Sequence, residues 1–189
     1  MEELKEKILK EGKNLGGGIL MVNTFLNHQI DSHLMVIVGR EIADRFWHYH
    51  PTKVLTAEIS GIAPAVQAGV FLGVPVVFAR RVKSVTMPDE IYIRTVPSHT
   101  KGGTTDLIVA AEILSPEDRI LIVDDFLATG KTIEALASIV EEAGAKLVGI
   151  GAVIEKSFEG GRERLTPLRV PIEALAIVEK MEGDTIVLR

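Results

Sequence analysis

The chain alternates short apolar runs with stretches whose apolar residues recur every three or four positions. Apolar runs predict buried strands at 53–58, 74–79, 106–113, 119–123 and 145–154. Helical spacing predicts helices at 2–12, 32–48, 63–72 and 130–143. Because strands that are apolar throughout are buried on both faces, the alternation predicts an α/β fold with a mostly parallel, doubly wound sheet.

Three segments depart from this alternation. Residues 19–26 predict a strand or hairpin, and one or two short strands are expected from Ile172 onward. Residues 80–104 are polar and irregular apart from a short apolar run at 91–96, and long polar loops in compact domains often act as lids. A length of 189 residues suits a single domain, 1–189, with a flexible loop at about 80–104.

Composition narrows the range of partners. The net charge of −5 gives no general attraction to nucleic acid or to anionic membranes. The absence of cysteine excludes disulfides, thiolate metal sites and a cysteine nucleophile. The N-terminus lacks the apolar segment of a signal peptide, and no apolar run is long enough to span a bilayer. We therefore expect a cytoplasmic protein without nucleic-acid or membrane partners.

The strongest chemical signal is the run 120–132, which reads ILIVDDFLATGKT. Asp124 and Asp125 directly follow a buried strand, at the sheet edge where open α/β folds bind ligands. The helix predicted from Gly130 leaves free backbone N–H groups at its start, which suit an anion. Carboxylates beside that anion site suit sugar hydroxyls, because they accept hydrogen bonds strongly. The run therefore predicts a ribose 5-phosphate site.

Two other interpretations of this run are weaker. The letters TGKT suggest a nucleotide-binding P-loop, but that motif requires glycine five residues before the Gly-Lys pair, and Asp125 stands there. The acidic pair could also simply cap a loop. A single Asp would often do so, whereas two between an aliphatic strand and a Thr-Gly helix start favour a binding site.

A second strand-to-helix turn occurs earlier in the chain. The strand ends at Glu58, Ser60 and Gly61 form a tight turn, and Pro64 lies in the first turn of the following helix. Taken alone, this is compatible with an ordinary connection. The basic run that includes Arg81 opens the 80–104 segment and is either a solvated surface or an anion contact.

The run VDDFLATGKT resembles the signature of the type I phosphoribosyltransferases, which are α/β enzymes. The resemblance implies that the catalytic pair Asp124 and Asp125 holds the ribose 2′ and 3′ hydroxyls. The earlier turn then resembles the family's pyrophosphate loop, with Arg81 and, more weakly, Lys101 as contacts. Mg²⁺ would arrive with phosphoribosyl pyrophosphate, so no metal site of the protein's own is expected. The 5′-phosphate would be held by Ala128, Thr129, Gly130, Lys131 and Thr132.

The segments FLNHQID, SGIAPA, GVPVVFAR and VIEKSF extend the resemblance over nearly the whole chain, toward the xanthine-specific bacterial branch of the family. This implies xanthine and phosphoribosyl pyrophosphate as small-molecule substrates and a homodimer, the usual assembly of the family. It also implies a hood over the base, built mainly from about 1–35 and from C-terminal residues. Leu20 and Asn27 would lie in that hood, and Lys156 would meet the purine.

The chemistry of the base site leaves alternatives open. An ammonium only donates, so Lys156 suits a 6-oxo group and not the amino group of adenine. It could instead be a surface lysine paired with Glu155 or Glu159, and Asn27 could be a turn residue. Ala128 stands where hypoxanthine-guanine enzymes carry an Asp, so no side chain is an obvious general base. Guanine, hypoxanthine, less readily adenine, and a non-catalytic regulator that senses phosphoribosyl pyrophosphate remain alternatives.

Overall fold

The computed structural model describes residues 1–97 and 102–189, and its main sheet has six strands. In chain order the strands are β1 (Lys13–Asn14), β2 (Leu20–Met21), β3 (Lys53–Ala57), β4 (Val76–Ala79), β5 (Ile91–Pro97), β6 (Thr104–Ala110), β7 (Arg119–Leu127), β8 (Lys146–Lys156), β9 (Ile172–Glu182) and β10 (Thr185–Leu188). The helices are α1 (Glu2–Glu11), α2 (Ser32–Phe46), α3 (Ile62–Leu72), α4 (Lys131–Glu142) and α5 (Gly161–Leu165).

The main sheet has the order β10-β9-β8-β7-β3-β4, and only the outer β10 runs antiparallel to its neighbour. Helices cover both faces. Leu121 and Val123 of β7 pack in the same core as α1, α2 and α3, whereas Ile120 and Ile122 pack with α4. The predicted α/β class, with a mostly parallel doubly wound sheet, is confirmed.

Helix α2 illustrates why the periodic segments were predictable. The side chain of Asp31 accepts a hydrogen bond from the backbone N–H of Leu34 at 3.1 Å and caps the helix start. Leu34, Val38 and Ile42 then fall on one buried face. The helix predicted at 32–48 is confirmed, with its end at Phe46.

Strand β7 is longer than predicted. The prediction ended it at Val123, but Asp124 pairs with Ala152 of β8, and the ladder runs to Leu127. The acidic pair therefore lies inside a strand and not in a loop. The physical reason is that β8, with 11 residues, offers backbone partners past the point where the apolar run of β7 stops.

Residues 80–97, the described first part of the segment predicted to be irregular, contain turns and one strand. After a series of turns at 81–90, strands β5 and β6 form an antiparallel pair, in which the hydroxyl of Thr95 donates to Asp106 Oδ1 at 2.7 Å. The short strand expected at 91–96 is confirmed. The strand predicted at 106–113 is confirmed as β6, which begins two residues earlier at Thr104, and Lys101 lies outside the described residues.

The N-terminal segment packs against the end of the chain. The strand predicted at 19–26 is only Leu20–Met21, which pairs with β1, and a single π-helical turn follows at Asn23–Asn27. The amino group of Met1 donates to the Leu175 carbonyl at 2.6 Å. The Asn14 side chain donates to the Gly183 carbonyl at 2.9 Å. The division into a core and a hood remains a prediction.

Candidate functional site

The acidic pair lies near the carboxyl end of β7. Asp124 is 6% exposed and Asp125 is partly buried. Burial raises the pKa of Asp124 well above its usual range, and the charge of Asp125 adds to this rise. Burial also raises the pKa of Asp125, while a hydrogen bond from Asn27 opposes the rise. The pair therefore offers largely buried hydrogen-bond acceptors, and its negative charge is only partly offset by neighbouring donors and cations.

The loop after β7 forms a compact turn into α4. Gly130 has a φ of 77°, a left-handed conformation that favours glycine, and α4 begins at Lys131. The Gly130 carbonyl oxygen accepts a hydrogen bond from the backbone N–H of Glu134 at 2.9 Å, which closes the first helical turn. The N–H groups of Lys131 and Thr132 lie in this first turn, where a helix leaves donors without intrahelical partners. The structure thus brings the five predicted phosphate-binding residues, 128–132, into one anion-compatible turn.

This turn rests on α5, which the sequence analysis missed. A Cβ atom on Gly161 would lie 2.8 Å from Leu127 Cδ1, 2.9 Å from the Gly130 nitrogen, and closer still to the Ala128 carbonyl oxygen. The guanidinium of Arg164 donates to the Thr129 carbonyl oxygen at 2.9 Å. The Gly160-Gly161 pair was the available signal, but a five-residue helix has too little periodicity to be recognised.

The turn at Ser60 and Gly61 reaches the acidic pair. It connects β3 to α3, with Pro64 in the first helical turn as predicted. A Cβ atom on Gly61 would lie 2.8 Å from Asp124 Oδ1 and closer still to the hydroxyl of Thr56. That hydroxyl is buried and has no hydrogen-bond partner among the described residues. Only glycine therefore lets this turn approach Asp124.

Arg81 lies beside the same turn. Its backbone N–H donates to Glu58 Oε1 at 2.7 Å, and its Nε donates to the Glu58 carbonyl oxygen at 3.0 Å. The positive charge of Arg81 is close enough to lower the pKa of Asp124, although burial and Asp125 outweigh it. The structure thus brings Arg81, the Ser60–Gly61 turn and the acidic pair to one edge of the sheet.

Two of the three residues predicted to meet the base, Asn27 and Lys156, also lie at this edge. Leu20 is buried, and the amide of Asn27 donates to Asp125 Oδ2 at 2.9 Å. Lys156, the last residue of β8, donates to the Gly18 carbonyl at 2.8 Å, and its ammonium lies 5.9 Å from the centre of the Phe126 ring. Asn27 therefore links the N-terminal segment directly to the acidic pair.

The alternative pairing of Lys156 is also present. Its ammonium forms an ion pair with Glu159. Glu155, the other candidate partner, instead pairs with Arg162 at 2.6 Å and is nearly fully buried. With only 12% of its side chain exposed, Lys156 is not the free surface lysine of the alternative interpretation.

Residues 28–180 match the profile of the phosphoribosyl transferase domain. The chain belongs to the phosphoribosyltransferase family. It is 49% identical to a xanthine phosphoribosyltransferase of Bacillus licheniformis over 98% of this chain and 96% of that one. It is also 49% identical to a xanthine phosphoribosyltransferase of Listeria monocytogenes over 98% of this chain and 97% of that one.

Solved structures of this family share the fold. An adenine phosphoribosyltransferase from Thermoanaerobacter pseudethanolicus is 25% identical and superposes with a TM-score of 0.74, covering 92% of this chain and 98% of that one. One from Rhodothermus marinus is 26% identical with a TM-score of 0.72, covering 94% of this chain and 100% of that one. This phosphoribosyltransferase therefore has the type I fold that its sequence predicted.

The described residues, 1–97 and 102–189, lack two kinds of feature. Within them, no three acidic or histidine side chains come together in a way that could hold a metal ion. None of their helices combines the length and the apolar character needed to cross a bilayer.

Proposed function

We propose that this phosphoribosyltransferase transfers the 5-phosphoribosyl group from phosphoribosyl pyrophosphate to xanthine, which yields xanthosine 5′-monophosphate and pyrophosphate for purine salvage in the cytoplasm. The observation that carries the proposal is that Asp125 of β7 and Lys156 of β8 lie near the same end of two paired parallel strands, where Asn27 donates a 2.9 Å hydrogen bond to Asp125. This arrangement suits a sugar and an oxopurine bound side by side. The relatives named for xanthine, at 49% identity, support the choice of base.

In this proposal Asp124 and Asp125 accept hydrogen bonds from the ribose hydroxyls. A buried carboxylate with a raised pKa gains from hydroxyl donors, because they replace lost hydration. The 5′-phosphate takes the turn at 128–132, where backbone donors and the helix start favour an anion. Both contacts fix the anomeric carbon relative to the base, and such positioning can supply much of the rate enhancement.

The pyrophosphate would bind at Ser60, Gly61 and Arg81. The Arg81 guanidinium supplies positive charge next to that turn, where negative charge builds up on the departing diphosphate. The bond from the anomeric carbon to the diphosphate oxygen breaks, and a ring nitrogen of the purine forms the new bond to that carbon. The proton leaves from xanthine itself, which is acidic enough to bind as an anion, so no protein general base is required.

The purine would lie between the N-terminal segment and the end of β8, under a hood formed by about 1–35 and the C-terminal strands. Lys156 donates to an oxo group, and Asn27 can both donate and accept. Leu20 supplies apolar surface. Adenine fits poorly, because its amino group would meet a second donor and leave one N–H of the Lys156 ammonium without an acceptor.

Mg²⁺ fits this site as a companion of the diphosphate. Mg²⁺ keeps several waters and often binds through one or two carboxylates together with substrate phosphates. Asp124 and Asp125 offer such a partial set, and the described residues contain no complete cage. Asp124 and Asp125 would hold the ion beside the diphosphate, where it would supply positive charge.

A homodimer is part of the proposal. Six exposed large apolar side chains lie on α3, on the outer strand β4 and in the turns beside them, and exposed apolar surfaces commonly mark protein interfaces. They are Ile59, Val66, Val70, Phe71, Phe78 and Val82. We expect sedimentation equilibrium to give twice the 20.6 kDa chain mass, and Val70→Lys to lower it. A monomeric wild type would contradict this part of the proposal.

A turnover assay with four bases tests the function. Wild-type protein is incubated with phosphoribosyl pyrophosphate, Mg²⁺ and xanthine, guanine, hypoxanthine or adenine, and nucleotide products are resolved by liquid chromatography. We expect xanthine to give the highest kcat/KM. No product with any base would favour a non-catalytic regulator, and a preference for adenine would contradict the role of Lys156.

A further inference from the structure

The ammonium of Lys156 is held by two protein acceptors. It donates to the Gly18 carbonyl at 2.8 Å and forms an ion pair with Glu159, and the two side chains of this ion pair are 12% and 20% exposed. An ammonium has three donors, so one remains for a ligand. The position of that third donor is fixed by the first two, which makes Lys156 a directed donor and not a loose cation.

Glu159 is itself held firmly. It ends a 3-10 turn, Ser157–Glu159, that directly follows β8, and the Ser157 hydroxyl donates to the Val178 carbonyl of β9 at 3.2 Å. On the other side, Gly18 adopts a φ of 78°, and a Cβ atom there would lie 3.3 Å from Glu159 Oε1. The backbone at Gly18 thus lies close to the Glu159 carboxylate.

We propose that Glu159 determines base specificity together with Lys156, as an adjacent acceptor and donor. This inference rests on the proposed function. A 6-oxopurine presents an oxygen acceptor next to an N1–H donor, whereas adenine presents an amino donor next to an N1 acceptor. Lys156 and Glu159 match the first pattern and oppose both groups of the second.

The Glu159 carboxylate can accept a hydrogen bond from the purine N1–H in addition to its ion pair with Lys156. An ionised carboxylate has about four acceptor positions, and the ion pair with Lys156 occupies one of its two oxygens. The charge of Glu159 also compensates that of Lys156, so a neutral base need not leave a buried ammonium unpaired. Truncating either residue should therefore disturb recognition of the base more than binding of the sugar.

The test is Glu159→Gln, which keeps the size of the side chain but can donate as well as accept. We expect kcat/KM for xanthine, guanine and hypoxanthine to fall by about 10- to 150-fold, as for the loss of a hydrogen bond to a charged group. We expect kcat/KM for adenine to fall less or to rise, because the amide can donate to N1. The KM for phosphoribosyl pyrophosphate should stay within about twofold of wild type.

Glu163→Gln is the matched control, because it makes the same chemical change four residues later at an exposed position. It should leave the base preference unchanged, and thermal melting should show that both variants are folded. If kcat/KM fell equally for all four bases, Glu159 would only position Lys156, and the proposal would be overturned. If the wild type is active on xanthine and Glu159→Gln keeps the same base preference, only the role of Glu159 is overturned. If the wild type is inactive with every base, the proposed function is overturned as well.

Discussion

Replacing Gly161 with alanine should displace the loop that we assign to the 5′-phosphate. The new Cβ atom would stand 2.9 Å from the Gly130 nitrogen and 2.8 Å from Leu127 Cδ1, and closer still to the Ala128 carbonyl oxygen, whereas ordinary contacts begin at 3.4 Å. Two of these three neighbours are backbone atoms of the loop itself. Relief therefore requires a shift of the loop or of α5, because no side-chain rotation can remove the overlap.

The size of the effect follows from this geometry. Overpacking at a tight contact costs about 1–3 kcal/mol of the free energy of unfolding. A misplacement of about 1 Å in a substrate-positioning loop costs about 100-fold in rate. We expect urea denaturation of Gly161→Ala to show the first loss and steady-state kinetics to show the second, mainly in kcat/KM for phosphoribosyl pyrophosphate.

The neighbouring glycine provides the control. Gly160 has a φ of 73°, but a Cβ atom there would meet nothing closer than Glu163 Oε2 at 4.0 Å. Gly160→Asn should be tolerated, since asparagine adopts left-handed conformations more readily than most residues. If Gly161→Ala behaved like Gly160→Asn in both assays, the close packing of α5 on the loop would not matter, and the reasoning would be refuted.

Four further substitutions test the charged and polar side chains of the site and its surroundings. Asp124→Asn should lower kcat/KM by about 10- to 150-fold, the value of a hydrogen bond to a charged group. Asp124→Asn should also raise the free energy of unfolding at pH 7, because the raised pKa means that ionised Asp124 destabilises the folded protein. This destabilisation is present above the raised pKa and absent below the ordinary pKa of Asp. The gain in stability should therefore vanish below about pH 4. Arg162→Ala should cost about 3 kcal/mol in urea denaturation, because Glu155 would stay buried without its partner, and Glu155→Gln should cost less. Thr56→Val should raise the melting temperature, since the buried hydroxyl lacks a partner among the described residues and its removal gains about 1 kcal/mol; an unchanged or lower melting temperature would point to an ordered water there.

Local periodicity was sufficient to predict most of the fold. The buried faces of α2 and α4 repeat every three or four residues, and the strand at Ile120–Val123 is uniformly apolar. The extension of β7 through Leu127 could not be predicted in this way, because it depends on backbone partners in β8, 28 residues away at the pair Leu127 and Glu155. Strands β5 and β6 were predicted at 91–96 and 106–113, but their antiparallel pairing was not, because no local pattern marks which strands pair.

The same distinction between local patterns and contacts of distant segments applies to the candidate site. Asp124 to Thr132 form one continuous segment, so their chemistry could be recognised from neighbouring letters. The contact of Gly161 with the Ala128 carbonyl and the hydrogen bond between Asn27 and Asp125 join distant segments. Their residue types carry no marker of such contacts, and only the folded chain reveals them.

The pairing of β7 with β8 has a consequence for how this enzyme can diversify. Asp124 lies opposite Ala152, Leu127 lies opposite Glu155, and Lys156 is the next residue. A shift of one residue in this pairing would turn every later side chain to the opposite face of the sheet, so the spacing between the sugar and base contacts cannot drift in small steps. We therefore expect new base preferences to arise by changes in the short turn after Lys156 or in the N-terminal segment. The pairing of β7 with β8 should stay unchanged.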